Sequence, residues 1–161
     1  MNIEIIFASY VNKNHAKAIG DILNEYAKDE MGGNKELPEE IRNNIAKKLS
    51  TISNSFTVLA YVNNEPAGLI TAFENFSTFK CKPLVNIHDI MVLKEFRNLG
   101  LSQKMLALVQ KESIKRGCCK ITLEVLDKNE IAKKSYTKFG FSGYELDPQF
   151  GKALFWEKEL K

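Results

Sequence analysis

The chain has no apolar run long enough to cross a bilayer, so the sequence offers no membrane span. Cysteine is scarce. Its three residues, Cys81 and the adjacent Cys118-Cys119, make an odd count without metal-ligand spacing, so reduced packing thiols and no metal site are expected. No block of five or six like charges occurs, and 23 Lys and Arg against 20 Asp and Glu leave a net charge of only +3. A nucleic-acid footprint is normally denser. Repeats and low-complexity segments are absent as well. The first seven residues, Met1-Asn2-Ile3-Glu4-Ile5-Ile6-Phe7, carry an acid, lack a basic leader and alternate like an opening strand, which argues against a signal peptide. A cytoplasmic location is the expectation.

What is present belongs to a globular protein. With 44% apolar and 27% charged residues, 161 residues are enough for one core that buries about 70% of the unfolded surface, so a single domain over 1–161 is expected. Residues 3–9 read as a strand, and 14–28 as a helix with Ile19, Leu23 and Tyr26 at helical spacing. After the break Met31-Gly32-Gly33-Asn34, Leu37-Pro38-Glu39-Glu40 opens a second helix predicted to end near Ser53-Asn54. Two strands, 56–62 and 67–74, flank the reversal at Asn63-Asn64. An irregular connection over 75–83 leads to a strand at 84–92. A helix follows from Leu101 and stops at Lys115-Arg116-Gly117. Strand 120–126, helix 130–138 and a final antiparallel pair, 143–146 with 153–158, complete a mixed sheet with helices on both faces.

The most informative stretch is Arg97-Asn98-Leu99-Gly100-Leu101-Ser102, between the apolar run Ile90-Met91-Val92-Leu93 and the long helix. Strand, basic glycine-containing turn, helix is the order that exposes first-turn amides to an anion, because those amides have no partner inside the helix. A three-glycine dinucleotide fingerprint is missing, and no Gly-Lys-Ser/Thr follows the turn, so neither the Rossmann nor the P-loop reading holds.

Val92 to Ser102, the helix after it, and Asn129 to Phe141 together resemble the GNAT superfamily of acetyl-CoA-dependent N-acetyltransferases. The order of elements is similar over essentially the whole chain, and the specific motifs lie between residues 84 and 141. The superfamily's pyrophosphate signature, a basic residue or glutamine, two residues, glycine, one residue, glycine or alanine, reads here Arg97, Asn98-Leu99, Gly100, Leu101, Ser102. Asn98 and Ser102 depart from the usual smallest residues, although both leave the amides accessible. The resemblance implies a central, mostly antiparallel sheet of six or seven strands, about four flanking helices and a splayed parallel strand pair.

It also implies roles. Arg97 and the amides of Asn98, Leu99, Gly100, Leu101 and Ser102 would hold the pyrophosphate of acetyl-CoA. Ile90, Met91 and Val92 would pair with its pantetheine arm, with Asn129 and Ser135 nearby. Tyr136 would protonate or stabilise the departing thiolate, with packing as its competing role. The acceptor amine must lose a proton, and His88 or Asp89 is the candidate base. Strand alternation places these two on opposite faces, and His88, with an ordinary pKa near 6.5, aligns best. Tyr26, Glu30, Glu74, Phe76, Phe79 and Tyr144 are candidates for acceptor recognition. The expected partners are a CoA thioester and an amine, with a homodimer left open and no metal required. The alternative is a noncatalytic acyl-CoA-binding regulatory domain.

Overall fold

The structure, a computed structural model, describes residues 1–145 and 147–160. Five strands form one sheet in the order β1-β2-β3-β4-β5, with β1 Ile3–Phe7, β2 Ser55–Val62, β3 Glu65–Ser77, β4 Lys82–Val92 and β5 Ile121–Leu123. The first three pairings are antiparallel and β4·β5 is parallel. Helices α1 (Lys13–Lys28) and α2 (Glu39–Leu49) cover one face, while α3 (Leu101–Lys115) and α4 (Glu130–Phe139) cover the other. The mixed α/β class, the four helices and the parallel pair agree with the expectation.

Local chemistry accounts for most boundaries. Asn12 caps α1 by accepting from the amides of Asn14 and His15, and Asn129 caps α4 by accepting from that of Ala132. Asn63 and Asn64, both at positive φ, make the two-residue turn that joins β2 to β3 with the twist strands require. Gly117, at φ 72°, follows the end of α3, where Cys118 N bonds back to Ser113 O.

Each sheet face buries its own apolar set. Leu59, Leu69 and Met91 meet Ile19, Ile22, Ala46 and Leu49 beneath α1 and α2. Val58, Ile70, Val85 and Ile87 meet Leu101, Met105, Leu106 and Val109 beneath α3, with Tyr136 of α4 in the same cluster.

Four segments differ from the sequence reading. The 75–83 connection is instead mostly paired strand, because β3 and β4 continue to Ser77↔Lys82, and only four residues turn between them. Helix α2 ends at Leu49, since Ser50 and Thr51 hydroxyls bond back to the carbonyls of Lys47 and Lys48. Strand 120–126 shrinks to Ile121–Leu123, where its pairing with β4 ends. The final antiparallel pair is reduced to one bridge, Glu145↔Lys152, so five strands rather than six or seven stand among the described residues, with Leu146 outside them. The Asp147-capped 3₁₀ turn Pro148–Phe150 and Gly151 at positive φ occupy the segment between. A lone hairpin without a third strand gains little.

Gly20 sets the distance between α1 and α2, because a Cβ there would lie 2.3 Å from the Arg42 carbonyl oxygen. Alanine in a helix interior normally stabilises by about 1 kcal/mol over glycine, whereas forcing apart a packed backbone contact costs about 1–3 kcal/mol. The clash is with backbone and cannot relax by a side-chain rotation, so Gly20→Ala is expected to destabilise. A urea midpoint at or above that of the unaltered protein would contradict this packing.

Candidate active site

The parallel pairing of β4 with β5 covers only Val85↔Ile121, Asn86↔Thr122 and Ile87↔Leu123. On its other side β4 stays paired to β3 as far as Gly68↔Val92. Residues 88–92 therefore keep one bonded edge and, among the described residues, have no strand on the other. Side chains bind β5 to β4 just before the gap, where Asn86 Nδ2 donates to Thr122 Oγ1 at 3.0 Å.

The phosphate-type turn lies at the end of this open edge. A short 3₁₀ turn, Lys94–Phe96, leads through Asn98 at φ 66° to Gly100 at φ 72°, the N-cap of α3. Glycine takes that left-handed conformation at no steric cost. Unlike α1 and α4, α3 has no side-chain cap, so no capping side chain claims its first-turn amides. The first turn is braced from behind: the Ser102 and Ser135 hydroxyls lie 3.1 Å apart, and Gln103 Nε2 donates to Ser135 O at 2.9 Å.

Arg97 points elsewhere. Its Nε donates to the Val92 carbonyl at 3.3 Å and its Nη2 to Asp29 Oδ2 at 3.4 Å, with Lys94 Nζ 3.8 Å from the same oxygen. The Met31 amide, which donates to Asp29, holds that carboxyl below the usual range against the effect of burial, with Lys94 and Arg97 assisting.

A bulge between Thr71 and Ala72 of β3 makes His88 the extra residue of β4, since Asp89 pairs with Thr71 and Ile87 with Ala72. Ile87 and Ile90 both pack toward α3, so the two residues between them turn to the α1 side. His88 lies edge-on to Phe73, a member of that side's cluster, at 5.9 Å, and Asp89 acts electrostatically on Tyr26 of α1. The strict alternation expected from the sequence, with these two on opposite faces, is thereby corrected. His88 is exposed, while Asp89 is largely buried. Burial pushes the Asp89 carboxyl upward and the neighbouring His88 pulls it back. Opposite Asp89 in the register, the buried Thr71 hydroxyl has no hydrogen-bond partner among the described residues.

Tyr136 is 8% exposed, and burial pushes its phenol up to about 12, with Tyr26 adding to the shift. Tyr26 is itself raised by burial, then by Asp89 and Asp29. The phenols belong to helices on opposite faces of the sheet, and Tyr26 adds to the shift of Tyr136.

Three of the other acceptor candidates, Glu74, Phe76 and Phe79, are held away from this end of β4. Glu74 pairs with Arg116 at 3.0 Å, and Arg116 also binds Glu112 and covers the Phe56 ring. In register Glu74 lies opposite Val85, four residues from Asp89, or roughly 13 Å along the strand. Phe76 and the 99% exposed Phe79 stand at the far end of the β3·β4 ribbon. Glu30 and Tyr144 are exposed. Sequence reasoning missed Asp29, Thr71 and Gln103. Asp29 had a local signal, a capping acid before the Met31-Gly32-Gly33 break, but its partner is 68 residues away.

The acetyltransferase (GNAT) family profile matches residues 17–141. Among solved structures, an aminoglycoside acetyltransferase from an uncultured soil metagenomic sample, in complex with trehalose, superposes with a TM-score of 0.79 at 15% identity, over 99% of this chain and 97% of that one. The aminoglycoside acetyltransferase AAC(6')-Iy, in complex with the bisubstrate analogue CoA-S-monomethyl-acetylneamine, gives 0.77 at 18% identity over 99% and 100%. A ribosomal-protein-alanine N-acetyltransferase from Brucella melitensis biovar Abortus 2308 gives 0.68 at 15% identity over 91% and 99%. At such identities the superpositions establish a shared fold. Among the described residues no cluster of metal-ligating side chains occurs, and no helix is long and apolar enough to cross a membrane.

The burial of Asp89 carries a stability consequence. Its folded pKa lies above the ordinary 3.8, so its favourable contribution is complete below that value and is lost as pH rises through the raised pKa. At neutral pH the ionised group is a cost. Asp89→Asn is therefore expected to raise the melting temperature at pH 7, with the gain shrinking as pH falls through the raised pKa and levelling off below 3.8. A pH-independent difference would contradict the shift.

Proposed function

The chain belongs to the acetyltransferase (GNAT) family and is an acetyl-CoA-dependent acetyltransferase, and on that premise we propose how its residues divide the work. The observation that carries the reading is the open edge of β4 at residues 88–92, which runs into the uncapped, glycine-started α3. The amides of residues 98–102 take the pyrophosphate, because unpartnered N–H groups at a helix start favour an anion. The pantetheine arm, which carries amides of its own, lies along Ile90, Met91 and Val92 in the place of a missing strand. Asn129 and Ser135 fix α4 and α3 around it through their hydrogen bonds.

When bound, acetyl-CoA supplies the activated acyl group. A free β4 amide directed at the acetyl oxygen stabilises the negative charge that develops there. Asp89 is the group that accepts the proton of the attacking amine, because its raised pKa makes it a better base than an exposed carboxylate. The exposed His88 beside it passes that proton to solvent. Tyr136 donates a hydrogen bond to the leaving sulfur. Complete proton transfer from a phenol near 12 to a thiolate of ordinary pKa, about 8.5, is uphill by roughly 5 kcal/mol. Stabilisation of the thiolate by a hydrogen bond is the larger contribution.

The acceptor is a primary amine that enters on the α1 side past Tyr26 and the loop beginning at Asp29. Aminoglycosides, polyamines and peptides with N-terminal alanine form the first panel, since the names of the structural neighbours include the first and last of these classes. Calorimetry with acetyl-CoA followed by thiol release over this panel separates the enzyme from a regulatory acyl-CoA-binding domain. Binding with turnover of at least one amine is expected. Binding with none would favour the regulatory reading.

Tyr136→Phe is expected to lower kcat about 10- to 100-fold, the worth of one hydrogen bond to a charged group, while the dissociation constant for acetyl-CoA stays unchanged. Unchanged kcat would remove Tyr136 from the chemistry. For Asp89, kcat is expected to rise with pH through a midpoint above 3.8, and Asp89→Asn is expected to abolish that limb. Persistence of the same limb in the variant would assign it to another group.

We also propose a homodimer. β5 is an edge strand, and Leu154, Phe155 and Trp156 are all exposed. An open edge and an exposed apolar segment able to extend along it are the two halves of intermolecular strand addition. Sedimentation is expected to show a dimer that Phe155→Ser with Trp156→Ser dissociates; a monomer at micromolar concentration would contradict it.

A further inference from the structure

Asp29 ends α1 and starts the next turn. Its backbone N–H donates to the carbonyls of Glu25 and Tyr26 at 3.2 and 3.1 Å, and its carbonyl accepts from Gly32 at 2.8 Å and Asn34 at 3.3 Å. One carboxylate oxygen accepts from the Met31 amide at 3.1 Å. The position of this carboxylate is therefore fixed by its own loop. Its other oxygen faces the two cations of the phosphate turn, Arg97 at 3.4 Å and Lys94 at 3.8 Å.

These two contacts are long. Charge-assisted pairs built for stability settle near 2.7–2.9 Å, and pairs between partly exposed groups are worth about 0–1 kcal/mol. Lys94 is largely exposed and Arg97 is half-exposed. Both are long side chains able to swing, whereas Asp29 is anchored on both sides. A pyrophosphate seated at the start of α3 brings a stronger anion to the same turn.

We propose that Asp29 is a positioning residue that competes with the pyrophosphate of acetyl-CoA for Lys94 and Arg97. In the free protein it latches the acceptor-side loop, through Met31, to the donor-side turn. When the donor binds, the cations move to the pyrophosphate and the latch opens, so that the loop beside Tyr26 is released once the donor is in place. This inference rests on the placement of the pyrophosphate proposed above.

The test depends on a sign that a merely structural role would not produce. Asp29→Asn and Asp29→Ser both retain an oxygen for the Met31 amide and lose the charge, and two variants guard against one failing to fold. Each is expected to bind acetyl-CoA about three- to tenfold more tightly than the unaltered protein, the effect of about 1 kcal/mol. Inorganic pyrophosphate is expected to show the same gain. In an Arg97→Gln background the gain is expected to shrink, because one of the contested cations is gone. Equal or weaker acetyl-CoA binding by both folded variants overturns the latch while leaving the donor site standing. Failure of the unaltered protein to bind acetyl-CoA at all overturns the donor site first, and the latch with it.

Discussion

Backbone groups in a sheet require partners, and the rest of the site follows from where β4 loses its own. Strand β5 accompanies β4 for three residues and then leaves for α4, while β3 remains paired as far as Val92. The remaining edge of β4 is a row of donors and acceptors held rigidly by the strand on its other side. Such an edge attracts another extended chain, and a ligand bearing two amides in an extended arm meets it in kind. The uncapped start of α3 is the proposed seat for the charged end of the same ligand.

Tyr26 of α1 and Tyr136 of α4 are both raised chiefly by burial; Asp89 and Asp29 add to the shift of Tyr26, and Tyr26 to that of Tyr136. The bulge at His88 turns the carboxyl of Asp89 to the α1 side. In the proposed arrangement donor groups come mainly from β4, α3 and α4, and acceptor groups from α1 and its following loop. Asp29, held by the hydrogen bonds of its own loop, is the point at which these two halves touch, through the cations Lys94 and Arg97.

Much of this was legible because it is local. Gly100 and Gly117 bracket α3, and Asn129 opens α4, each through conformations or capping bonds that one residue type provides. The motif from Arg97 to Ser102 likewise folds where its own sequence places it. What was illegible depended on distance or on counting. A bulge inserts one residue without altering hydrophobic composition, so period-two reasoning assigned His88 and Asp89 to opposite faces. Glu74 reads as a free acid until Arg116, 42 residues later, folds beside it. Arg97 reads as an unpaired cation until Asp29, 68 residues earlier, folds next to it. The apolar run Leu154-Phe155-Trp156 reads as a strand, yet with a single bridge before it the pattern has no sheet to join.

Amide hydrogen exchange with and without acetyl-CoA tests the central claim most directly, because it reads the backbone groups that the account assigns to the ligand. Saturating acetyl-CoA is expected to slow exchange in two segments together, β4 residues 88–92 and the turn and first helical residues 98–103. Protection confined to other segments, or tight binding that leaves both of these unchanged, would contradict the assignment of the β4 edge and the α3 start as the donor site.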